Sequence, residues 1–315
     1  MSRSFKLGLE LAALFLGGVF FLYVLRYFGF EATFRALSHV GWASWPAFFF
    51  YPFMSLWDVA AWKFAFGRQT APQLRWKELF WIRLAGEALN NVTPFIDIGG
   101  EPLKIHLLVR RLGVSASSAT SATVVARTSL LLSEAFFMLS GVVLSFWLIP
   151  MQARYRWQLT ALLCAVCAAF FVFLWAQQKG WLKKLSPEIS GYYSGESRRF
   201  WKAVPLNSLG WVSGGVETYL FCRLLGTELS LLQSVMLEAL LQLIRTGSFF
   251  IPGNLGAQEG GLALFVGQMG LDPVFGVGIS LLKRFRQVVW TAAGFLVWRV
   301  YQYREAKKKP RSIDN

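Results

Sequence analysis

The residues with chemistry to offer are acids and arginines set inside strongly apolar stretches. Glu101, in Gly99-Gly100-Glu101-Pro102, precedes Arg127 in an apolar run; Glu259, in Gln258-Glu259-Gly260-Gly261, precedes Arg284 in another. Arg83, Glu87 and Arg245 lie in similar surroundings, as do Asp58, Asp97, Glu134, Glu217, Glu238, Lys283 and Arg286. A charge at mid-bilayer costs about 2.5–3.5 kcal/mol on insertion scales, so these groups are expected to pair or to face a wet cavity. Two chemistries fit. Glu101 with Arg127 and Glu259 with Arg284 can form ion pairs that pin a segment to the following helix. Alternatively an arginine, or a helix N-terminus at a chain break, can hold a lipid phosphate. Arg83 and Glu87 have i,i+4 spacing and are expected to pair on one helix. Arg245 has no acid close after it and is the better anion contact. Asn90, Asn91, Thr93 and Asn254 can satisfy exposed backbone, the more expected role, or touch a lipid head group in the translocation path.

Metal and cofactor chemistry finds no foothold. Cys164 and Cys167 form a C-x-x-C, but no second Cys/His pair completes four zinc ligands, and His39 and His106 lie far from other ligand types. No nucleophile elbow, phosphate-binding Gly loop with Lys or repeated basic-aromatic motif occurs. No cofactor, no metal, no catalytic residue and no nucleic-acid partner is therefore expected.

The elements that must position these groups are membrane helices. The chain has 315 residues, of which 55% are hydrophobic and 16% charged, well below the roughly 25% of soluble domains. Apolar runs of about 20 residues fall at roughly 7–27, 42–62, 116–148, 158–176, 204–222 and 273–299. The net charge of +15 sorts by topology: 18 Lys and Arg fall at the N-terminus, in 63–77, in 177–203 and beyond 299, against 5 in the intervening loops. Basic loops face the cytoplasm, which places both termini there.

Two further stretches, 79–111 and 235–270, are broken at mid-depth. Thr93, Pro94, Gly99 and Gly100 interrupt the first; Pro252, Gly253, Gly256 and Gly260 interrupt the second. Each reads as a re-entrant hairpin, helix–break–helix, since a single crossing at either place would put basic segments outside. The surroundings also match. Gly113 and Arg127 recur as Gly270 and Arg284 with the same spacing of 14, and an E…P…E…G…R pattern runs through both segments. Three spans separate the copies, so they enter from opposite faces, an inverted repeat of the kind that builds secondary transporters. Irregular backbone is tolerated in a bilayer only when buried or lining a polar cavity, so the two breaks are expected to face a common polar site.

The predicted fold is thus an all-α polytopic membrane protein of about six spans and two oppositely oriented re-entrant hairpins. The chain reads as one integral membrane domain: a two-span segment (1–75), the first repeat (76–148), connecting spans with a basic loop (149–230), the second repeat (231–300) and a basic tail (301–315).

TPFIDIGGEPLKIHLLVRRLG, the Arg127 helix, and FIPGNLGAQEGGLALFVGQMGL with LLKR at 281–284 resemble the flippase-like transmembrane region of lysylphosphatidylglycerol synthases. The likeness is strongest to stand-alone members associated with hopanoid biosynthesis, whose second motif reads like PGNLGAQEGG. It covers nearly the whole chain and implies a lipid-translocase fold with Glu101, Arg127, Glu259 and Arg284 in its central polar region. No aminoacyl-transferase domain follows, so lysyl transfer from tRNA is not implied. Ile96-Asp97-Ile98 stands where the family often has small or basic residues.

The function expected is translocation of an amphiphile, anionic, phosphate-bearing or hopanoid-type, between leaflets of the bacterial inner membrane. The partners expected are membrane lipids, with anionic inner-leaflet lipids at the basic loop and tail, and a homo-oligomer is compatible with the sequence. Two readings compete: a membrane-embedded transferase using Glu101 and Glu259 as acid and base, and a non-transporting scaffold for lipid synthesis.

Overall fold

The computed structural model describes residues 48–93, 99–149, 187–249 and 251–308, with isolated positions within 22–31 and 157–168. The expected spans 7–27 and 158–176 lie outside the described residues but for those isolated positions, as do Pro94, Asp97, Cys167 and the tail beyond 308. The described residues are all-helical: α1 (Phe50–Ala65), α2 (Trp76–Val92), α3 (Glu101–Leu112), α4 (Ala116–Leu148), α5 (Pro187–Gly195), α6 (Ser197–Leu224), α7 (Leu231–Gly247), α8 (Ala257–Gln268) and α9 (Pro273–Lys308).

The duplication read from sequence has a structural counterpart. α2 and α7 both have 17 residues and α3 and α8 both have 12, and a long helix follows each arm, α4 with 33 residues and α9 with 36. The same glycine chemistry ends both short helices: Gly113 and Gly270 take left-handed φ values of 66° and 81°, which other residues rarely adopt. Polar caps start the helices that follow a turn. Ser115 accepts from the Ser118 amide at 3.2 Å to open α4, and Ser230 with Gln233 forms a reciprocal capping box for α7.

The copies exchange partners. α4 packs on α7, α9 packs on α2, and α1 packs on α6. Both exchanged pairs run antiparallel: Glu134 meets Gln242 and Thr246 while Gly141 abuts Ala239, and Asn91 meets Gln287 and Thr291 while Gly294 abuts Leu84 and Ala88. Such reciprocal packing is what a two-fold relation between two copies produces. Each copy keeps its own buried core, one around Leu79, Ile82, Leu107 and Val125, the other around Met236, Leu240, Leu262 and Ile279.

Among the described helices, α4 alone combines span length with span hydropathy, at a mean of 1.8 over 18 residues. α6 and α9, which contain the expected spans 204–222 and 273–299, are longer than 18 residues but carry Glu217 and Arg223, and Lys283, Arg284 and Arg286, within them. The described part of the span expected at 42–62 is a 16-residue helix. Large apolar side chains nonetheless stand on the outer faces, Trp147 at 84% and Leu296 at 69% exposed.

The basic loop also does structural work. α1 ends in open carbonyls, which helices must satisfy from outside; the Tyr192 hydroxyl donates to Phe64 O at 2.9 Å, and Arg199 donates to Phe64 O at 3.3 Å and Lys63 O at 3.2 Å. Glu196 holds Arg199 at 3.2 Å and accepts the Arg68 amide at 2.9 Å. Burial pushes the Tyr192 phenol up from its ordinary range, so it remains a neutral donor at physiological pH.

Candidate functional site

The first break is built by backbone contact. Gly100 lies against α2 so closely that a Cβ there would stand 1.9 Å from Gly86 O, and its amide donates to Asn90 Oδ1 at 2.6 Å. The Thr93 hydroxyl turns back onto Leu89 O at 2.6 Å. Asn90 and Thr93 are thus backbone caps, the role expected of them. Gly100→Ala has no side chain to push aside, only a carbonyl, and should destabilise the fold by about 3 kcal/mol, the upper part of the overpacking range. A thermal melt in detergent that matched the wild type would contradict this.

Closing the hairpin puts α3 beside α2 and opens a cleft of about 60 Å³, room for several waters at roughly 10–15 Å³ each. Asp58, Arg83, Glu87, Glu101, Lys104, Arg127 and Asn207 line it, drawn from α1, α2, α3, α4 and α6. The pairing differs from the sequence reading in two places. Arg83 reaches across to α1, with Nη2 2.5 Å from Asp58 Oδ2 and Nη1 3.1 Å from Ser55 Oγ, and does not pair with Glu87. Lys104 supplies the reason: its Nζ lies 3.0 Å from Glu87 and 2.9 Å from Glu101, holding both carboxylates. Glu101 is therefore paired within its own helix, three residues away, and not with Arg127. The sequence signal for this pairing is the i,i+3 spacing of Glu101 and Lys104.

Arg127 is left facing the cleft. Among the described residues it has no carboxylate within ion-pair distance and no hydrogen-bond acceptor, although its charge acts on Glu87 from nearby. One lysine shared between two acids, beside an arginine with no direct partner, keeps the charge balanced while leaving a guanidinium available to an incoming group.

The second break follows different rules. Gly253 (φ 61°), Asn254 (φ 51°) and Gly256 (φ 78°) take left-handed conformations between α7 and α8. Their exposed carbonyls are met by Arg284, which donates to Gly253 O at 2.9 Å and Asn254 O at 3.1 Å while forking onto both oxygens of fully buried Glu259, one contact at 3.0 Å. Glu259 also accepts the Gly256 amide at 2.8 Å and thereby starts α8 at Ala257. Gly260, expected as part of the break, consequently lies inside the first turn of α8. The pair Glu259–Arg284 expected from sequence is present. A chain of hydrogen bonds extends it: Arg245 Nε to Gln258 at 3.0 Å, Gln258 to Ser280 at 2.7 Å, and Ser280 to Glu259 at 2.8 Å. Asn254 is held by Ser248, its amide group oriented to donate to that hydroxyl at 2.6 Å.

α9 brings the breaks together. Arg284 binds the second break, and Gln287, one turn on, donates to Asn91 at the mouth of the first at 3.0 Å. Asn91 in turn donates to Thr291 at 2.8 Å, which ties it to α9 rather than to the cleft. α4 extends the relation: Arg127 lies seven residues, about 10 Å, from Glu134 toward the end of α7 that enters the second break. Separately, α6, α7 and α9 bury a network of Glu217, Glu238, Lys283 and Arg286 that sequence reasoning flagged only as buried charge.

Two helix–break–helix units of matching lengths, long helices that pack across them and buried charge around the breaks are compatible with a helical membrane protein. The chain belongs to the family described as the lysylphosphatidylglycerol synthase TM region, whose model matches residues 10–294. It is also similar to a UPF0104 membrane protein of Methanothermobacter thermautotrophicus, 26% identical over 246 residues that cover 66% of this chain and 70% of the relative. The family places the chain in a membrane and links it to lipid handling.

Proposed function

We propose that the protein is a lipid translocase of the cytoplasmic membrane, passing the head group of an anionic or phosphate-bearing lipid through the polar region at the two breaks while the tails stay in the bilayer. The observation that carries this reading is Arg127: a guanidinium on the one described helix that has both span length and span hydropathy, facing a cleft and without a direct partner among the described residues, is costly in a bilayer unless a ligand uses it. The helix–break–helix units are read as re-entrant hairpins entering from opposite faces, and the basic segments at 63–77, 177–203 and beyond 299 as cytoplasmic contacts with inner-leaflet lipid. No covalent step is assigned. Glu101 and Glu259, the acid/base groups a transferase would need, are held by Lys104 and Arg284.

The test is leaflet exchange of fluorescent lipids in proteoliposomes containing the full chain. Wild type is expected to exchange a phosphate-bearing lipid faster than protein-free vesicles. Arg127→Ala is expected to exchange it about tenfold more slowly or worse, the worth of a lost charge-assisted contact. Wild-type vesicles no faster than empty ones would overturn the proposal.

A further inference from the structure

We propose that the cleft at the first break selects a head group of both signs, a phosphate that carries a primary amine, an assignment that rests on the lipid-translocase reading and names the class of lipid moved. Arg127 takes the phosphate, and Glu87 with Glu101 takes the amine.

The charges that line the cleft balance in sum but not locally. Asp58 and Arg83 close on each other at 2.5 Å and cancel. Glu87 and Glu101 share the single ammonium of Lys104, so this part of the lining, on α2 and α3, keeps one uncompensated negative charge. Arg127 supplies the missing positive charge from α4, yet among the described residues it forms no ion pair or hydrogen bond with either acid. The cleft is therefore neutral as a whole and polarised between its acidic and basic sides.

Open acceptors mark where an amine fits. Lys104 Nζ reaches Oε1 of Glu87 at 3.0 Å and Oε1 of Glu101 at 2.9 Å, which leaves Oε2 of each acid without a donor among the described residues. Neither of those oxygens is sealed in, and the side chains are part-exposed, Glu101 at 15% and Glu87 at 27%. A primary ammonium has three N–H donors and can bridge two carboxylates, as Lys104 already does.

The charge balance decides the class of ligand. Unmatched charge is expensive where water is scarce. A head group with a phosphate alone matches Arg127 but brings a further negative charge beside Glu87 and Glu101. One with an amine alone matches the acids but adds a cation to Lys104 and Arg127. A head group with one of each keeps the sum at zero and gives every charged group a partner, so the specificity lies in rejecting the single-signed lipids. The second break offers no such surface, because Arg284 is occupied by Glu259 and by the Gly253 and Asn254 carbonyls.

The experiment uses the full chain in proteoliposomes with acyl-labelled lipids that differ only in head group: phosphatidylethanolamine, its N-acetylated form and phosphatidylglycerol. Wild type is expected to exchange phosphatidylethanolamine about tenfold faster than the other two, the worth of one charge-assisted contact. Glu101→Gln should bring that ratio close to one. Native mass spectrometry of purified protein, incubated with the same lipids in equal amounts, should show the same preference as retention, a readout that needs no transport. Equal retention of the lipids, or a phosphate-free cationic lipid retained as well as phosphatidylethanolamine, overturns the proposal. Selective retention without exchange of any lipid ends the translocase reading and leaves the charge match standing. Glycerophosphoethanolamine, the soluble head group, should not displace the retained lipid at equal concentration; displacement makes a soluble phosphate–amine the ligand and overturns the lipid assignment. If Glu101→Gln does not fold, the contrast between phosphatidylethanolamine and its N-acetylated form in wild type decides.

Discussion

Lys283→Met is expected to destabilise the protein by about 3–5 kcal/mol, the cost of breaking a buried ion pair by removing one partner. Lys283 is 1% exposed and is the close cation of both Glu217 and Glu238. Methionine nearly matches its length, so the change removes charge without opening a large void. Two buried carboxylates then remain, one with Thr218 and one with a poorly aligned Arg286. Each must be protonated or hydrated, and α6, α7 and α9 lose the group that joins them. The reading is the apparent Tm in detergent together with the yield of folded protein from membranes. Adding Glu238→Gln should recover part of the loss, because it removes one of the stranded charges; a double-mutant cycle measures the coupling. A single variant as stable as wild type would show that the network is solvated rather than dry.

Arg284→Ala should come close in magnitude, again about 3–5 kcal/mol, and should stop lipid exchange as well. The guanidinium meets the Gly253 and Asn254 carbonyls and neutralises fully buried Glu259. Its loss strands a charge and opens the second break at once. Arg284→Lys keeps the charge but cannot reach a carboxylate and two carbonyls with one fork, so an intermediate defect is expected. The contrast with Arg127→Ala is the informative comparison. Arg127 makes no hydrogen bond or ion pair among the described residues, so its removal should slow exchange while leaving stability within about 0.5 kcal/mol of wild type. Proteolysis at 249–256 should separate the two, rising in Arg284→Ala and not in Arg127→Ala.

How far the sequence reached depends on the distance over which each feature is determined. The helix–break–helix units were legible because Thr93, Gly99, Gly100, Pro252 and Gly253 interrupt apolar runs locally, and Glu259–Arg284 because its counterpart spacing repeats in both copies. Gly260 shows the limit of composition: a glycine beside a break belongs to the helix once the Glu259 carboxylate caps the preceding turn. Arg83–Glu87 has favourable helix spacing, yet Arg83 pairs with Asp58, 25 residues away on α1, because Lys104 draws Glu87 aside. Glu101 likewise takes the lysine of its own helix. In each case the losing pair was geometrically possible, and the choice turned on which oppositely charged side chain the packing of α1, α2 and α3 brought nearer.

The sequence by itself determined that this is a helical membrane protein, where its helices break, and which charges must be shielded, since apolar runs, chain-breaking residues and the cost of charge in lipid are local properties. Only the tertiary structure decided that α4 packs on α7 and α9 on α2, that α9 holds both breaks within one turn, and that Arg127 is left without a partner among the described residues while Lys283 has two. Those outcomes depend on how antiparallel helices from distant parts of the chain come into register, a relation that packing between the copies sets and that no spacing along one strand of sequence contains.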